Sequence, residues 1–452
     1  SQQTTAKVAF VIPSDVLLAT WPQLPSLMRP TVPRNPYKGL HAFTEQDARD
    51  FFGRDTLIGK LSTAVEIALS IEQKEGQQVR MLAVVLGPSG SGKSSVVMAG
   101  LLPCLREGRI LNSKEWVYLD PIFPGAHPLE ALAVSLAKKL PARGSVSLHD
   151  DLASASVSSL HMLSSQLVTS SQQRVVLMVD QFEEVFTLTT DEAERQHFFE
   201  LLVTAATEPR GSLFVILTLR ADFYDRPMHY PELFRLIDEH HVSVLPLERD
   251  DLRRVIEQPA NLPEVQLTFE SGLVDELLLD TQGQTGALPL LEFTLDQLFQ
   301  RRKGYQLTLQ DYHEMGGVKG ALCKHAEETY QGLPSDAHRQ VARDIFLRLI
   351  EPGTTEQDTT RHRAARSEFE RTDPIQAKQM HETLEAFISA RLLTINQIGG
   401  QTTVEVSHEA LIREWKRLAD WLHEARNDIL FQRSLSEDVE EWEQRKRPRD
   451  RL

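Results

Sequence analysis

Nine residues constrain this chain more than any others: Gly87-Pro88-Ser89-Gly90-Ser91-Gly92-Lys93-Ser94-Ser95 follow the apolar run 81–86 (MLAVVL) and lead into Val96-Val97-Met98-Ala99. The pattern is G-x-x-x-x-G-K-[ST], a glycine-rich loop between a buried strand and a helix. Such a junction belongs to a sheet with helical crossovers. Glycines let the backbone curl into a nest whose N–H groups converge, and the following helix adds its positive end. A polyphosphate fits that concavity. Lys93 is then expected to reach the β and γ phosphates and the Ser94 hydroxyl to ligate Mg2+, with ATP or ADP as the bound molecule.

Four further apolar runs of strand length, 116–120, 174–179, 213–219 and 242–247, alternate with longer helical patterns. Their apolar residues are continuous rather than alternating, as a parallel sheet covered on both faces requires. The ten serines between residues 144 and 171 are too polar for a core strand and predict a surface helix pair and loop.

The second metal-side group should be a carboxylate at the end of another buried strand, and Val175-Val176-Leu177-Met178-Val179-Asp180 supplies it. Beyond Gln181 and Phe182, Glu183 and Glu184 are placed to orient or deprotonate a water, and the sequence does not choose between them. Their alternative role is to solvate a helix start. Arg220 ends a further buried strand, Leu219-Arg220-Ala221-Asp222, and is the expected γ-phosphate sensor. An ion pair with Asp222 is its other reading.

After residue 248 the strand-length runs stop, and Leu273, Leu277, Leu278, then Leu290, Leu291, Phe293, Leu295, Leu298 recur at helical spacing. Two helices are expected over 317–350, a polar loop over 353–374, a helix over 383–393, strands at 392–397 and 402–407 around Gly399-Gly400, and a helix from about His408 to Ala425. On that last helix Leu411, Ile412, Trp415, Leu418, Trp421 and Leu422 form one apolar stripe. The layout predicts an α/β domain with a five-stranded parallel sheet at 35–247, an all-helical lid at 248–316, a winged-helix domain at 317–428 and a helical linker at 429–452. Residues 1–34 hold a short strand, 8–12, and a proline-rich linker, and read as the tail of an upstream domain.

A net charge of -15, from 64 acidic against 49 basic side chains, repels a nucleic-acid backbone unless a basic patch segregates. Cys104 and Cys323 stand far apart without metal-ligand spacing, and no run of about 18 apolar residues offers a membrane span. A cytoplasmic protein is expected.

In combination these elements resemble the STAND class of P-loop NTPases, signal-transduction ATPases related to NACHT and NB-ARC proteins and more distantly to AAA+ ATPases. The nearest resemblance is to the bacterial novel-STAND group often joined to WD-repeat propellers. Its marks are Asn35-Pro36-Tyr37-Lys38-Gly39-Leu40, Phe51-Phe52-Gly53-Arg54-Asp55, the glycine-rich loop, Val179-Asp180-Gln181-Phe182-Glu183-Glu184, Leu219-Arg220-Ala221-Asp222-Phe223, Gly286-Ala287-Leu288-Pro289-Leu290-Leu291 and Ser407-His408-Glu409-Ala410-Leu411. The resemblance implies that the strand carrying Arg220 lies between the strands carrying the loop and Asp180. It also implies Gly53 and Arg54 near the adenine and ribose, Pro289 against the base, and His408 on the β-phosphate of ADP. Each has a plainer alternative: a turn at Gly53, a helix stop at Pro289, a helix terminus at His408.

The function so implied is a switch, closed with ADP and self-associating with ATP. A C-terminal region would sense an unknown trigger, and the family suggests antiphage defence or stress signalling. Two competitors remain: a continuously cycling ATPase motor, and a winged-helix DNA-binding regulator. Against the latter, the helix from His408 mixes Arg413, Lys416 and Arg417 with Glu409, Glu414 and Asp420, so no basic face forms. Because Gln181 stands where many hydrolytic relatives carry an acid, slow turnover is expected.

Overall fold

A computed structural model describes residues 32–72, 81–170, 172–209, 211–283, 286–351, 359–390, 392–398, 401–407 and 409–425. The strand expected at 8–12, the Gly399-Gly400 turn, His408 and the linker beyond 425 lie outside the described residues.

The apolar runs form five strands, β1 (Leu82–Gly87), β2 (Val117–Tyr118), β3 (Val175–Val179), β4 (Leu213–Arg220) and β5 (His241–Ser243). They pair in parallel in the order β2-β3-β4-β1-β5. Alternate residues explain the continuous apolar character. Val175, Leu177 and Val179 of β3 enter the core on one face, with Leu213, Val215, Leu217 and Leu219 of β4. Val176, Met178, Phe214 and Ile216 enter the core on the other. Both faces are dry, so neither tolerates a polar residue without a partner. As expected, the serine-rich segment folds as two short helices, Ser145–Leu152 and Ser159–Ser165. It is less superficial than expected: Leu148, Leu152, Leu160 and Leu163 are buried in the sheet's first core.

Register sets which side chains meet at the C-terminal edge of the sheet. Gly87 at the end of β1 stands beside Arg220 at the end of β4. Val179 pairs with Leu217, which brings Asp180 level with Thr218.

A third core gathers the helices Arg249–Ala260, Leu273–Thr281, Ala287–Arg301, Gly317–Gln331, Asp336–Arg348 and Pro374–Ser389. It runs without a break from Leu252 to Trp421 and takes in Tyr37 and Leu40 from the segment before the sheet. The segment is pinned there by polar bonds: Tyr37 Oη donates to the Ile256 carbonyl at 2.8 Å, and Asn35 Nδ2 donates to Asp296 Oδ1 at 2.6 Å.

The strands expected near the C-terminal end are present as Leu393–Ile398 and Gln401–Val406, paired antiparallel. The stretch read as a polar loop differs. It contains short strands at Thr360–Arg361 and Ala364–Ala365 and a 3-10 turn at Arg366–Phe369. Ala364, wholly buried, pairs with Val404 and makes the sheet three-stranded. Two alanines among arginines give too weak an apolar signal for a strand to be legible. The final helix is also interrupted, as Glu409–Glu414 and then 416–425, with the buried Trp415 between them.

Candidate functional site

A cavity of about 370 Å³ opens at the C-terminal edge of β1, β3 and β4, where crevices of parallel sheets gather ligands. Of the glycine-rich loop, Ser89, Gly90, Gly92, Lys93, Ser94 and Ser95 line it. Gly90 and Gly92 take φ of 72° and 89°, the left-handed conformation that glycine adopts without strain. Gly87 and Pro88 lie behind the lining: a Cβ on Gly87 would come within 2.8 Å of Ser91 Oγ, and the Pro88 carbonyl accepts from Lys93 Nζ at 3.0 Å.

Ser94 Oγ donates to Asp180 Oδ1 at 2.7 Å, joining the loop's hydroxyl to the carboxylate of β3. The same oxygen accepts from Thr218 Oγ1 at 2.5 Å and from Gln181 N at 3.1 Å. Thr218 was not singled out from the sequence; its signal is a lone hydroxyl in the otherwise apolar β4. Gln181 holds φ of 52°, rare for a residue with a side chain.

Glu183 and Glu184 are both buried, and burial pushes each carboxyl up to about 7. Their surroundings differ. Glu183 Oε2 accepts the Arg220 N–H at 3.2 Å, and Lys93 is the largest charge favouring its ionised form. Glu184 accepts from Gly125 N at 3.1 Å and faces Arg363, whose Nη2 is 3.2 Å from Oε1. Arg363 also pairs with Glu405 at 3.0 Å, and lies over the Phe123 ring, 5.3 Å from its centroid. Beside it, Arg361 Nη2 donates to Gln181 Oε1 at 3.2 Å, and Nη1 donates to the carbonyls of Val406 and Ser407, each at 3.3 Å. Arg361 and Arg363 were hidden in the stretch read as a loop.

Arg220 lines the cavity, but its guanidinium makes two bonds to Asp222, Nε–Oδ1 at 3.1 Å and Nη2–Oδ2 at 2.5 Å. The ion pair that was its alternative reading is therefore present in this arrangement. Arg54 lines the cavity and is spent on main chain: it donates to the Ser91 carbonyl at 2.7 Å and the Leu245 carbonyl at 2.8 Å. Burial lowers its guanidinium to about 10. Gly53 packs away from the cavity, with φ of 78°; a Cβ there would meet the Asp251 carbonyl oxygen and Val255 Cγ2 at 2.7 Å. Pro289 lines the cavity beside Leu288, one turn into the helix Ala287–Arg301. Ser407, which precedes His408, lines it as well.

The residues present fit a polyphosphate with a divalent cation. A Cβ at Gly92 would meet nothing within 4 Å, so the concave side of the loop is open. The nearby donors are a hydroxyl and a carboxylate, hard oxygens of the kind Mg2+ takes together with phosphate oxygens and water. Among the described residues no group of three or more His, Cys, Asp or Glu side chains could hold a metal. No helix of the described residues is long and apolar enough to cross a membrane.

The profile of the novel STAND NTPase 1 family matches residues 36–450. The chain belongs to that family. Among curated proteins, no sequence matches it. Similar solved structures include the Orc1 protein of Aeropyrum pernix in complex with DNA, 14% identical, covering 80% of this chain and 93% of that one at a TM-score of 0.43. A Walker-type ATPase of Pyrococcus abyssi is 13% identical, with coverage of 83% and 99% and a TM-score of 0.41. The Aeropyrum pernix Orc2 protein in ADPNP–ADP complexes is 11% identical, with coverage of 87% and 99% and a TM-score of 0.43. Superpositions this loose carry no argument about mechanism. What the novel STAND match and the parallel sheet establish together is an α/β P-loop NTPase.

Proposed function

We propose that this novel STAND protein is a nucleotide-controlled switch, closed with ADP and opened by ATP. The observation that carries the reading is the bond set between residues 361–363, which lead into the C-terminal three-stranded sheet, and the loop after β3: Arg363 to Glu184 and Arg361 to Gln181. A switch needs two arrangements that a ligand distinguishes. These bonds couple the edge of the nucleotide cavity to a distant part of the chain, so separating that part changes the site.

In the proposed mechanism the amides of the glycine-rich loop cradle the phosphates, and Lys93 balances charge at the β and γ positions. Ser94 and Asp180 would hold Mg2+, Oδ1 of Asp180 already accepting from Ser94, Thr218 and Gln181. The bound cation would neutralise charge on the phosphate oxygens. Glu183, whose ionised form the Lys93 charge favours, accepts the proton of the attacking water; Glu184 is held by Arg363 and acts through the latch. Arg220 leaves Asp222 to sense the γ-phosphate. Pro289 packs against the base, Arg54 braces the loop that the phosphates rest on, and His408 reaches the β-phosphate, a role supported by the position of Ser407 at the cavity wall.

The division at 35–247, 248–316 and 317–428, the winged-helix character of the last unit, self-association, a trigger sensed C-terminally and a part in bacterial immune or stress signalling are proposed on the family resemblance. A DNA-reading role is disfavoured by residues 409–425, of which Leu411, Trp415 and Leu418 are buried in the third core. Nucleotide analysis of gently purified protein tests the switch. Retained ADP with slow turnover is expected; empty sites with rapid basal hydrolysis would instead establish a motor.

A further inference from the structure

One wall of the cavity has chemistry that the phosphate end does not use. Along the helix Ala287–Arg301, Leu288, Pro289 and Glu292 face the cavity. Gly286 at its start lies against the glycine-rich loop, where a Cβ would stand 3.7 Å from the Ser89 carbonyl oxygen. Each helical residue advances about 1.5 Å, so Glu292 is roughly 9 Å farther along the axis than Gly286. The helix thus begins beside the phosphates and leads to the end where a base would lie. Leu40, Leu247, Val255 and Leu288 give the cavity an apolar lining beside the polar His41, Asp50 and Arg54.

Glu292 adds a carboxyl to this lining. It is 8% exposed, and its Oε2 accepts the Lys38 N–H at 3.3 Å. Oε1 has no hydrogen-bond partner among the described residues. The titratable groups facing Glu292 are Lys38, Asp50, Asp296 and the buried Tyr37 hydroxyl. Lys38 Nζ bonds Asp47 at 2.6 Å, Asp50 is held by both terminal nitrogens of Arg34 at 2.6 and 2.7 Å, and Asp296 takes the Asn35 amide. Burial raises the Glu292 carboxyl to about 8, so at neutral pH it presents one O–H donor beside one acceptor.

We propose that Glu292 reads the base of the bound nucleotide and selects adenine over guanine, one carboxyl oxygen donating to a ring nitrogen and the other accepting the exocyclic amino group. The inference rests on the nucleotide reading above and adds the residue that sets its base preference. The adenine edge offers one donor and one acceptor, which a single carboxyl satisfies. Guanine offers three polar groups on the corresponding edge, O6, N1–H and the 2-amino group. One carboxyl pairs two of these at most, Asp50 is held by Arg34 and Arg54 by main-chain carbonyls, and a polar group left buried without its partner weakens binding about ten-fold or more. An ionised carboxylate reverses the preference, because two acceptors suit the paired N–H donors of guanine.

The test is calorimetric titration of the full chain with ADP and with GDP in magnesium. Wild type should bind ADP about ten-fold tighter or more. Glu292→Gln, which keeps a donor, an acceptor and the bond to Lys38, should retain the preference, while Glu292→Ala should lose it through weaker ADP binding. Raising the pH from about 6.5 to about 9 should narrow the preference in wild type and leave Glu292→Gln unaffected. Equal affinity of wild type for the two nucleotides, or an equal loss of both in Glu292→Ala, overturns the inference alone. Binding of neither nucleotide to wild type sinks the nucleotide reading and this inference with it.

Discussion

The guanidinium of Arg363 sits between two carboxylates from different parts of the molecule, 3.2 Å from Glu184 after β3 and 3.0 Å from Glu405 in the C-terminal sheet. All three side chains are nearly buried. A charge so placed is costly to strand, so in the proposed switch the contact would act as a latch: dry when closed, and in need of water or another anion when open.

Arg363→Ala removes that latch. It should lower unfolding stability by about 3 kcal/mol, because two buried acids lose their partner, and it should speed release of a fluorescent ADP analogue. Denaturant midpoints and stopped-flow release measure the two effects. A destabilised variant whose release rate matches wild type would refute the coupling while leaving the packing account intact.

The two adjacent acids should separate in single-turnover hydrolysis. Glu183→Gln is expected to lose about 100-fold or more in rate with ADP affinity little changed. Glu184→Gln, which loosens Arg363, should hydrolyse at least as fast as wild type. The opposite ranking would assign proton transfer to Glu184.

Acid stability follows from opposite shifts. Glu183 and Glu184 at about 7, and Glu292 at about 8, bind protons more tightly folded than unfolded, so their contribution declines as pH rises from 4.5 through those values. Glu264 and Glu327, drawn down to about 2 chiefly by Arg34 and Arg417, contribute above 4.5 and lose that contribution as pH falls. Ligand-free protein should therefore be most stable near about pH 5. Thermal melts across pH should show Glu183→Gln with a shallower alkaline decline; an unchanged slope would refute its raised affinity for protons.

Gly53→Ala tests a contact rather than a binding role. With φ of 78° and main-chain oxygen 2.7 Å from the added carbon, the substitution should cost about 2 kcal/mol or more. Nucleotide affinity of the folded fraction should stay close to wild type. A stable variant with weakened ADP binding would return Gly53 to the site.

How far the sequence reached depended on how local each signal is. The phosphate loop is nine consecutive residues between a strand and a helix, so its geometry could be read directly. Asp180 ends an unbroken apolar strand and was equally plain. Arg363 could not be found that way: it lies 179 residues from Glu184 and precedes a strand of two alanines. Arg54 was placed near the site by resemblance, yet its use as a brace for the loop depends on the carbonyls of Ser91 and Leu245, groups that no side-chain pattern encodes. The Arg220 pair with Asp222 was legible as an alternative because the partner is two residues away.

The cavity takes its walls from both ends of the described chain, from Gly39 to Ser407. If those walls close over an occupant, it departs only as fast as they part again, however loosely its own atoms are held. Its residence time would then keep a history, with loading and emptying following different courses and a past stimulus outlasting its cause.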